Sequence, residues 1–256
     1  MTGSNRIRFL DVPVDMVDGR KAMAIFGGLM EAGGCSLIVT PNSEIIVNAS
    51  RDPELKRIIE QADLVIPDGI GLVYASKIMG APLAERVTGI DFLAAILGYL
   101  EETGQSAFFL GSKPGEGDAP GIAELAAGKM KEKHPSLKIA GTHHGYFKEA
   151  DEENIVKAIN DSGADFLIAA LGSPKQEKFI YRHRNELRVK GAIGVGGSLD
   201  VWAGTLKRAP EFYRNHGMEW LYRLIQQPSR YKRMAALPLF MIKIAVSRFG
   251  GKQYGN

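Results

Sequence analysis

The chain has 256 residues, 45% hydrophobic and 24% charged, with no long low-complexity tract, which excludes a disordered protein and provides for a sizeable core. Its net charge of +3 is too small an excess to point to nucleic acid as a partner, and its single cysteine, Cys35, excludes an intrachain disulfide framework and points to a reducing compartment. No run reaches the roughly 18 apolar residues of a membrane-spanning helix.

The first residues, MTGSNRIRFLDVPVD, hold no apolar core of signal-peptide length before their acids, so no export signal is expected and the protein is expected in the cytoplasm. Beyond them, apolar β-rich runs alternate with helix-length segments. The runs are SLIVT (36–40), ADLVIP (62–67), SAFFLG (106–111), LKIAGT (137–142), DFLIAALG (165–172) and KGAIGVGG (190–197); the helical segments are 19–32, 42–61, 89–103, 119–133, 150–162 and 174–188. Continuous apolar strands separated by helices predict a parallel sheet covered on both faces, a doubly wound, Rossmann-like α/β fold. Pro53 after Asp52, Thr88 with Asp91 three residues on, and Pro174 supply local helix-start signals. The expected division is an α/β core over 1–208 and a helical appendage over 209–256.

Three strand ends share a pattern: FFLGS (108–112), AALGS (169–173) and GVGGS (194–198). Their unequal spacing rules out a solenoid repeat, and they fit the carboxyl edge of a parallel sheet, where doubly wound folds bind ligands. Small residues there admit a bulky anion, and the helix N-termini beyond offer free N–H groups. No GxGxxG opens a helix after the first strand and no GxxxxGK[ST] occurs, so dehydrogenase and P-loop fingerprints are missing.

At the same edge, Asp68 follows DLVIP and precedes Gly-Ile-Gly, as either the cap of a helix over 69–79 or a general base. Asp63 begins that strand and is expected far from the site. Thr40 and Asn42 follow SLIVT and offer a hydroxyl and an amide, Asn42 or Ser43 also sufficing as a cap. Arg86 is a cation in a loop before a helix, suited to a phosphate or carboxylate, or else a solvated surface residue. GSPKQEKFI (172–180) crowds Gln176, Glu177 and two lysines at a helix entrance, more than a plain turn needs. Adjacent His143 and His144 point to opposite faces of an extended segment, and without a further ligand cluster they make no case for zinc. A DxD pair and a GxSxG nucleophile elbow are also missing.

From Glu219 onward there are seven Lys/Arg against one acid. Trp220, Leu221, Leu224 and Ile225 form the stripe of an amphipathic helix that Pro228 ends or restarts. ALPLFMIKIAV (236–246) follows, too short to cross a bilayer; it reads as an interfacial segment, a helix docked on its own domain, or a contact between copies.

Taken in order, TPNSE (40–44), PDGIG (67–71), ERVTGID (85–91), FLGS (109–112), HGYF (144–147), LGSPKQEKFI (171–180) and GVGGSLDVWAG (194–204) resemble the WecG/TagA/CpsF glycosyltransferases over nearly the whole chain. The likeness is greatest to the TagA branch, whose appendage is similar to EWLYRLIQQPSRYKRMAALPLF. The resemblance implies transfer of N-acetylmannosamine from its UDP-activated form to undecaprenyl-diphospho-N-acetylglucosamine, with inversion and without a required metal or other cofactor. It implies that Asp68 is the base for the acceptor's C4 hydroxyl, that Thr40 and Asn42 flank the donor, and that Gln176 contacts it near the reacting carbon. It also implies that Arg86, Arg223, Arg230 and Arg233 bind phosphates, and that Gly111, Tyr146 and Asp200 line the uridine pocket. On one continuous helix the three tail arginines would share a face. A lipid diphosphate acceptor implies attachment to the inner membrane surface, and apolar faces could also pair subunits into a homo-oligomer. A related donor such as UDP-N-acetylmannosaminuronic acid, a sugar-nucleotide oxidoreductase or epimerase, and a membrane-docked binding module are the alternatives.

Overall fold

The structure is a computed structural model that describes residues 5–228 and 231–249, so Arg230 and the end of the basic tail lie outside the described residues. Six strands, β3 (Ser36–Val39), β4 (Leu64–Val65), β5 (Ser106–Gly111), β6 (Lys138–His143), β7 (Phe166–Ala170) and β8 (Gly191–Gly194), form one sheet in the order β4-β3-β8-β7-β5-β6. Every pairing in it is parallel. The expected doubly wound α/β layer is therefore present.

Period-2 alternation divides each strand between two cores. Leu37, Val39, Leu167, Ala169 and Ala192 face one cluster, while Ile38, Ile168 and Ile193 face the other. The first is covered by α2 (Ser43–Ala49), α3 (Pro53–Glu60), α4 (Ile70–Ile78), α7 (Glu152–Asp161) and α8 (Lys175–Arg182). The second is covered by α1 (Gly19–Ala32), α5 (Gly89–Glu102), α6 (Ile122–Lys133) and the short α9 (Ser198–Trp202). Continuous apolar strands thus arise because both faces are buried.

Two features differ from the sequence reading. The segment 42–61 is two helices, broken after Ala49; Asp52 caps the second, accepting the N–H groups of Glu54 (3.0 Å) and Leu55 (3.1 Å), with Pro53 in the first turn. An unanticipated antiparallel hairpin, β1 (Arg6–Phe9) and β2 (Val12–Asp15), packs beside the sheet. Buried Asp15 pins it there: its carboxylate pairs with Arg6 at 2.9 Å and accepts the Val65 N–H at 2.7 Å. The tail is not one helix, in keeping with the end or restart expected at Pro228. It runs α10 (Glu211–Asn215), α11 (Glu219–Gln226), α12 (Tyr231–Met234) and α13 (Ala236–Phe249). The break falls around Pro228, which has no N–H to continue α11.

Of the readings for ALPLFMIKIAV, docking on the chain itself is realised on one face. α13 lies against α2 and α4. Phe240 and Ile244 are fully buried in the first core, and the Phe240 ring is 5.9 Å from that of Phe9 in the hairpin. Its other face leaves Ile242 61% and Val246 64% exposed.

Candidate functional site

The carboxyl ends of β3, β4, β5, β7 and β8 open into one cleft, as the switch-point rule for such sheets requires. The cleft has two connected cavities sharing Thr40, Asn42, Asp68, Arg223 and Arg233. The larger, about 450 Å³, is walled by polar and small residues: Ser112 and Lys113 after β5, Tyr146 after β6, Gly172, Ser173 and Gln176 after β7, and Gly196, Gly197 and Asp200 after β8. The smaller, about 150 Å³, is partly apolar, with Ile70, Ile90, Trp220, Met234 and Leu237 in its wall alongside Arg86 and Glu219.

Asp68 stands at the junction. It does not cap the helix that follows: α4 begins at Ile70 with Gly69 in the cap position and no side-chain capping bond. Gly69 takes φ +105°, a conformation glycine adopts at little cost, and so turns the chain away and leaves the carboxylate in the cleft. The Asp68 backbone N–H donates to Pro41 O at 3.1 Å, tying its loop to the Thr40 loop. Burial pushes the Asp68 carboxyl above the usual carboxylate range, against the lowering effect of Arg86 and Arg223; Glu219 adds to the rise, and the Gly89 N–H opposes it. The approach is tight, since a Cβ on Gly89 would lie 3.4 Å from both Asp68 Oδ2 and Thr40 Oγ1.

Thr40, buried, donates its hydroxyl to Gly194 O at 3.2 Å. Asn42 caps α2, its Oδ1 accepting the Ile45 N–H at 3.0 Å, and still lines both cavities. Gln176 is buried in the floor of the larger cavity. Its Oε1 accepts the Gly196 N–H at 3.0 Å and its Nε2 donates to Glu177 at 2.8 Å, so two of the three Gly-Ser corners are cross-linked through one amide. Glu177 is also buried, and burial raises its carboxyl well above the usual range, with the Gln176 bond opposing. The two lysines of this stretch face away from the cleft chemistry. Lys175 donates to the carbonyls of Gly145 and Phe147, and Lys178 pairs with Asp52 (2.9 Å) and Glu54 (2.6 Å).

Asp200 and exposed Tyr146 both line the larger cavity, and Asp200 accepts the Ser112 hydroxyl at 3.0 Å. Gly111 does not line it. It sits one residue below, where a Cβ would lie 2.4 Å from Ala170 O, and the neighbouring Ser112 takes the cavity position. Asp63 is away from the cleft, as expected, holding the Leu37 N–H and Arg184 at 2.7 Å each.

Arg86 is not a solvated surface residue: it is largely buried and paired with Glu219 at 2.5 Å. Glu219 also holds Arg223 at 3.0 Å, and Arg233 pairs with Glu44 at 3.1 Å across the shared wall. Sequence reasoning missed Glu219, although being the sole acid against seven Lys/Arg from its own position onward was a usable signal. It also passed over Ser112, the last residue of the FFLGS corner it quoted, and Lys113 beside it. Among the described residues, no group of three or more His, Cys, Asp or Glu is placed to hold a metal ion.

Comparison with known proteins gives a match from residue 7 to 254 to the family described as glycosyl transferase WecG/TagA/CpsF. A protein of Bacillus spizizenii named N-acetylglucosaminyldiphosphoundecaprenol N-acetyl-beta-D-mannosaminyltransferase is 35% identical over 82% of this chain and 78% of its own length. A Staphylococcus aureus protein of the same name is 36% identical over 82% of this chain and 80% of its own length.

Proposed function

Because the chain belongs to the WecG/TagA/CpsF glycosyltransferase family, we propose that it moves N-acetylmannosamine from UDP-N-acetylmannosamine to undecaprenyl-diphospho-N-acetylglucosamine, the linkage-unit step of wall teichoic acid synthesis. The observation that carries this reading is the position of Asp68, a half-buried carboxylate where a polar cavity meets a partly apolar one. The polar cavity suits the UDP-sugar and the other suits the acceptor sugar with its lipid diphosphate.

In the proposed step the Asp68 carboxylate takes the proton from the acceptor C4 hydroxyl. The oxygen bonds to the anomeric carbon, the carbon–oxygen bond to the diphosphate breaks, and the electron pair leaves with UDP, inverting the centre. Such a displacement needs a base on one face, anion-stabilising groups on the other, and both partners in line. Thr40 and Asn42 lie beside the reaction centre, and Gln176 is braced under the donor by the Gly196 N–H. Backbone N–H groups at the start of α8 and α9, with Arg223 and Arg233, would meet the donor diphosphate. One unpaired carboxylate suits transfer better than the two that flank the bond in most glycoside hydrolases.

Among the described residues no helix is long and apolar enough to cross a membrane. Residues 209–256 would serve instead as an appendage that rests on the membrane surface and carries Arg223 and Arg233 to the cleft. Release of UDP from UDP-N-acetylmannosamine, measured with and without lipid-linked N-acetylglucosamine, tests the activity; release that ignores the acceptor, or none at all, refutes it. Asp68→Asn should lose acceptor-dependent turnover by at least about 100-fold, the usual scale of a lost general base, while still binding UDP in a calorimetric titration. Turnover at the wild-type rate would remove Asp68 from the role.

A further inference from the structure

Glu219 has no part in the reaction as drawn, yet it is 5% exposed at the mouth of the smaller cavity and holds two arginines. It opens α11 and reaches Arg86, 133 residues earlier, at 2.5 Å with one oxygen, and Arg223, one turn on, at 3.0 Å with the other. A carboxylate shared between two guanidiniums fixes both in direction. The constraint matters most for Arg86, whose Nε is buried without a hydrogen-bond partner. We propose that Glu219 is a positioning residue for the transfer: it aims Arg86 and Arg223 at the wall of the smaller cavity, beside Asp68, and cancels one of their two positive charges there. The proposal rests on the reading of Asp68 as the base.

Among the described residues, the groups facing Asp68 come from three parts of the fold. Gly89 N–H and Arg86 come from α5 and the loop before it, Thr40 from the end of β3, and Glu219 and Arg223 from α11. Arg208 acts on Glu219 from the loop before α10 and is itself paired with Asp91 at 2.5 Å. Arg233 and Glu44 form their own pair. With Asp68 ionised, the local set of Arg86, Arg223, Glu219 and Asp68 is neutral. Without Glu219 it carries a net positive charge that makes the Asp68 carboxylate easier to form and a weaker base. Burial works against the charge on Glu219 itself, but Arg223 and Arg86 more than offset it and hold its carboxyl below the usual range, so it is ionised at neutral pH.

The test uses the full chain, UDP-N-acetylmannosamine and a lipid-linked N-acetylglucosamine, reading kcat and KM against pH. Glu219→Gln should shift the acid limb of kcat to lower pH by about one unit, the effect of one lost neighbouring charge, and lower kcat at neutral pH about tenfold. KM for the donor should rise as well, because Arg223 loses its brace, but by less than kcat falls. The double variant Glu219→Gln with Arg223→Gln restores the charge balance and should return the acid limb toward its wild-type position, which a merely structural role would not do. If a thermal melt shows Glu219→Gln unfolded, Glu219→Asp serves: it keeps the charge and shortens the reach, so kcat should fall with the limb in place. An unmoved limb in folded Glu219→Gln overturns the proposal. So does faster turnover or a lower acceptor KM, which would mark Glu219 as a plug in an anion seat. If Asp68→Asn retains turnover, both the base and this inference fall; if Asp68→Asn is dead and the Glu219→Gln limb is unmoved, this inference falls alone.

Discussion

At the scale of single residues, the cleft owes its shape to buried polar groups whose partners are supplied by backbone. Gln176 and Glu177 form a pair under the larger cavity, anchored on the Gly196 N–H. Desolvation keeps Glu177 protonated above its ordinary value of 4.5. The sign of the linkage follows: the folded state holds a proton that the unfolded state has released, so this contribution to stability is full below about 4.5 and is lost as pH rises through the raised folded value. Glu177→Gln carries a neutral group of the same shape at every pH. It should match the wild type near pH 4 and exceed it in stability at pH 8, in urea unfolding followed by circular dichroism. A variant less stable than wild type at pH 8 would show that the carboxylate, and not the acid, is the folded form. The importance of this residue was visible in the sequence only as crowding after Gly172. Local pattern showed where the chain turns, but not that one carboxyl would be sealed beneath the turn.

At the scale of elements, α13 joins two behaviours that the sequence reading held apart. One face is core: Phe240 meets Phe9 of the hairpin, and Ile244 is buried with it. Burying two such side chains contributes about 3–6 kcal/mol by area, so the appendage is part of what holds the hairpin side of the molecule together. Phe240→Ala should therefore cost about 3–5 kcal/mol, read as a lower urea midpoint with the slope unchanged. A loss below about 1 kcal/mol would mean that the helix is only loosely seated. Removing the tail would therefore not leave the core intact, since truncation would bare Phe9 and its neighbours. The strands were legible because each is a short apolar run between turn residues, and helix starts at Pro53 and Thr88 because their caps are local. The hairpin was not legible: its register depends on Asp15 meeting Val65, 50 residues away, and nothing in RIRFLDVPVD records that partner.

At the scale of the whole molecule, the cleft draws its parts from distant stretches of the chain: Thr40 and Asp68 from the first third, Gln176 and Asp200 from the loops after β7 and β8, and Glu219, Arg223 and Arg233 from the tail. Alternating strands and helices made the carboxyl edge identifiable, so residues on its loops could be named in advance. The contact of Arg86 with Glu219 joins that edge to a helix beyond the sheet, and no periodicity encodes it. The same arrangement puts the outer face of α13, with Ile242 and Val246 exposed, on the helix whose Leu237 lines the smaller cavity. An acceptor anchored in lipid would have its diphosphate near the membrane plane, so the apolar stripe and the basic residues of the tail would have to meet that plane together. Wild-type protein should then bind vesicles containing anionic phospholipid, more weakly as salt is raised. Ile242→Ser with Val246→Ser should lower that binding by at least about tenfold, a floor for two aliphatic side chains that are already partly covered, with the thermal midpoint nearly unchanged because neither is in the core. Equal sedimentation of the variant and the wild type with vesicles would move the lipid-facing surface elsewhere, and a large fall in the midpoint would show that these two side chains support the fold instead.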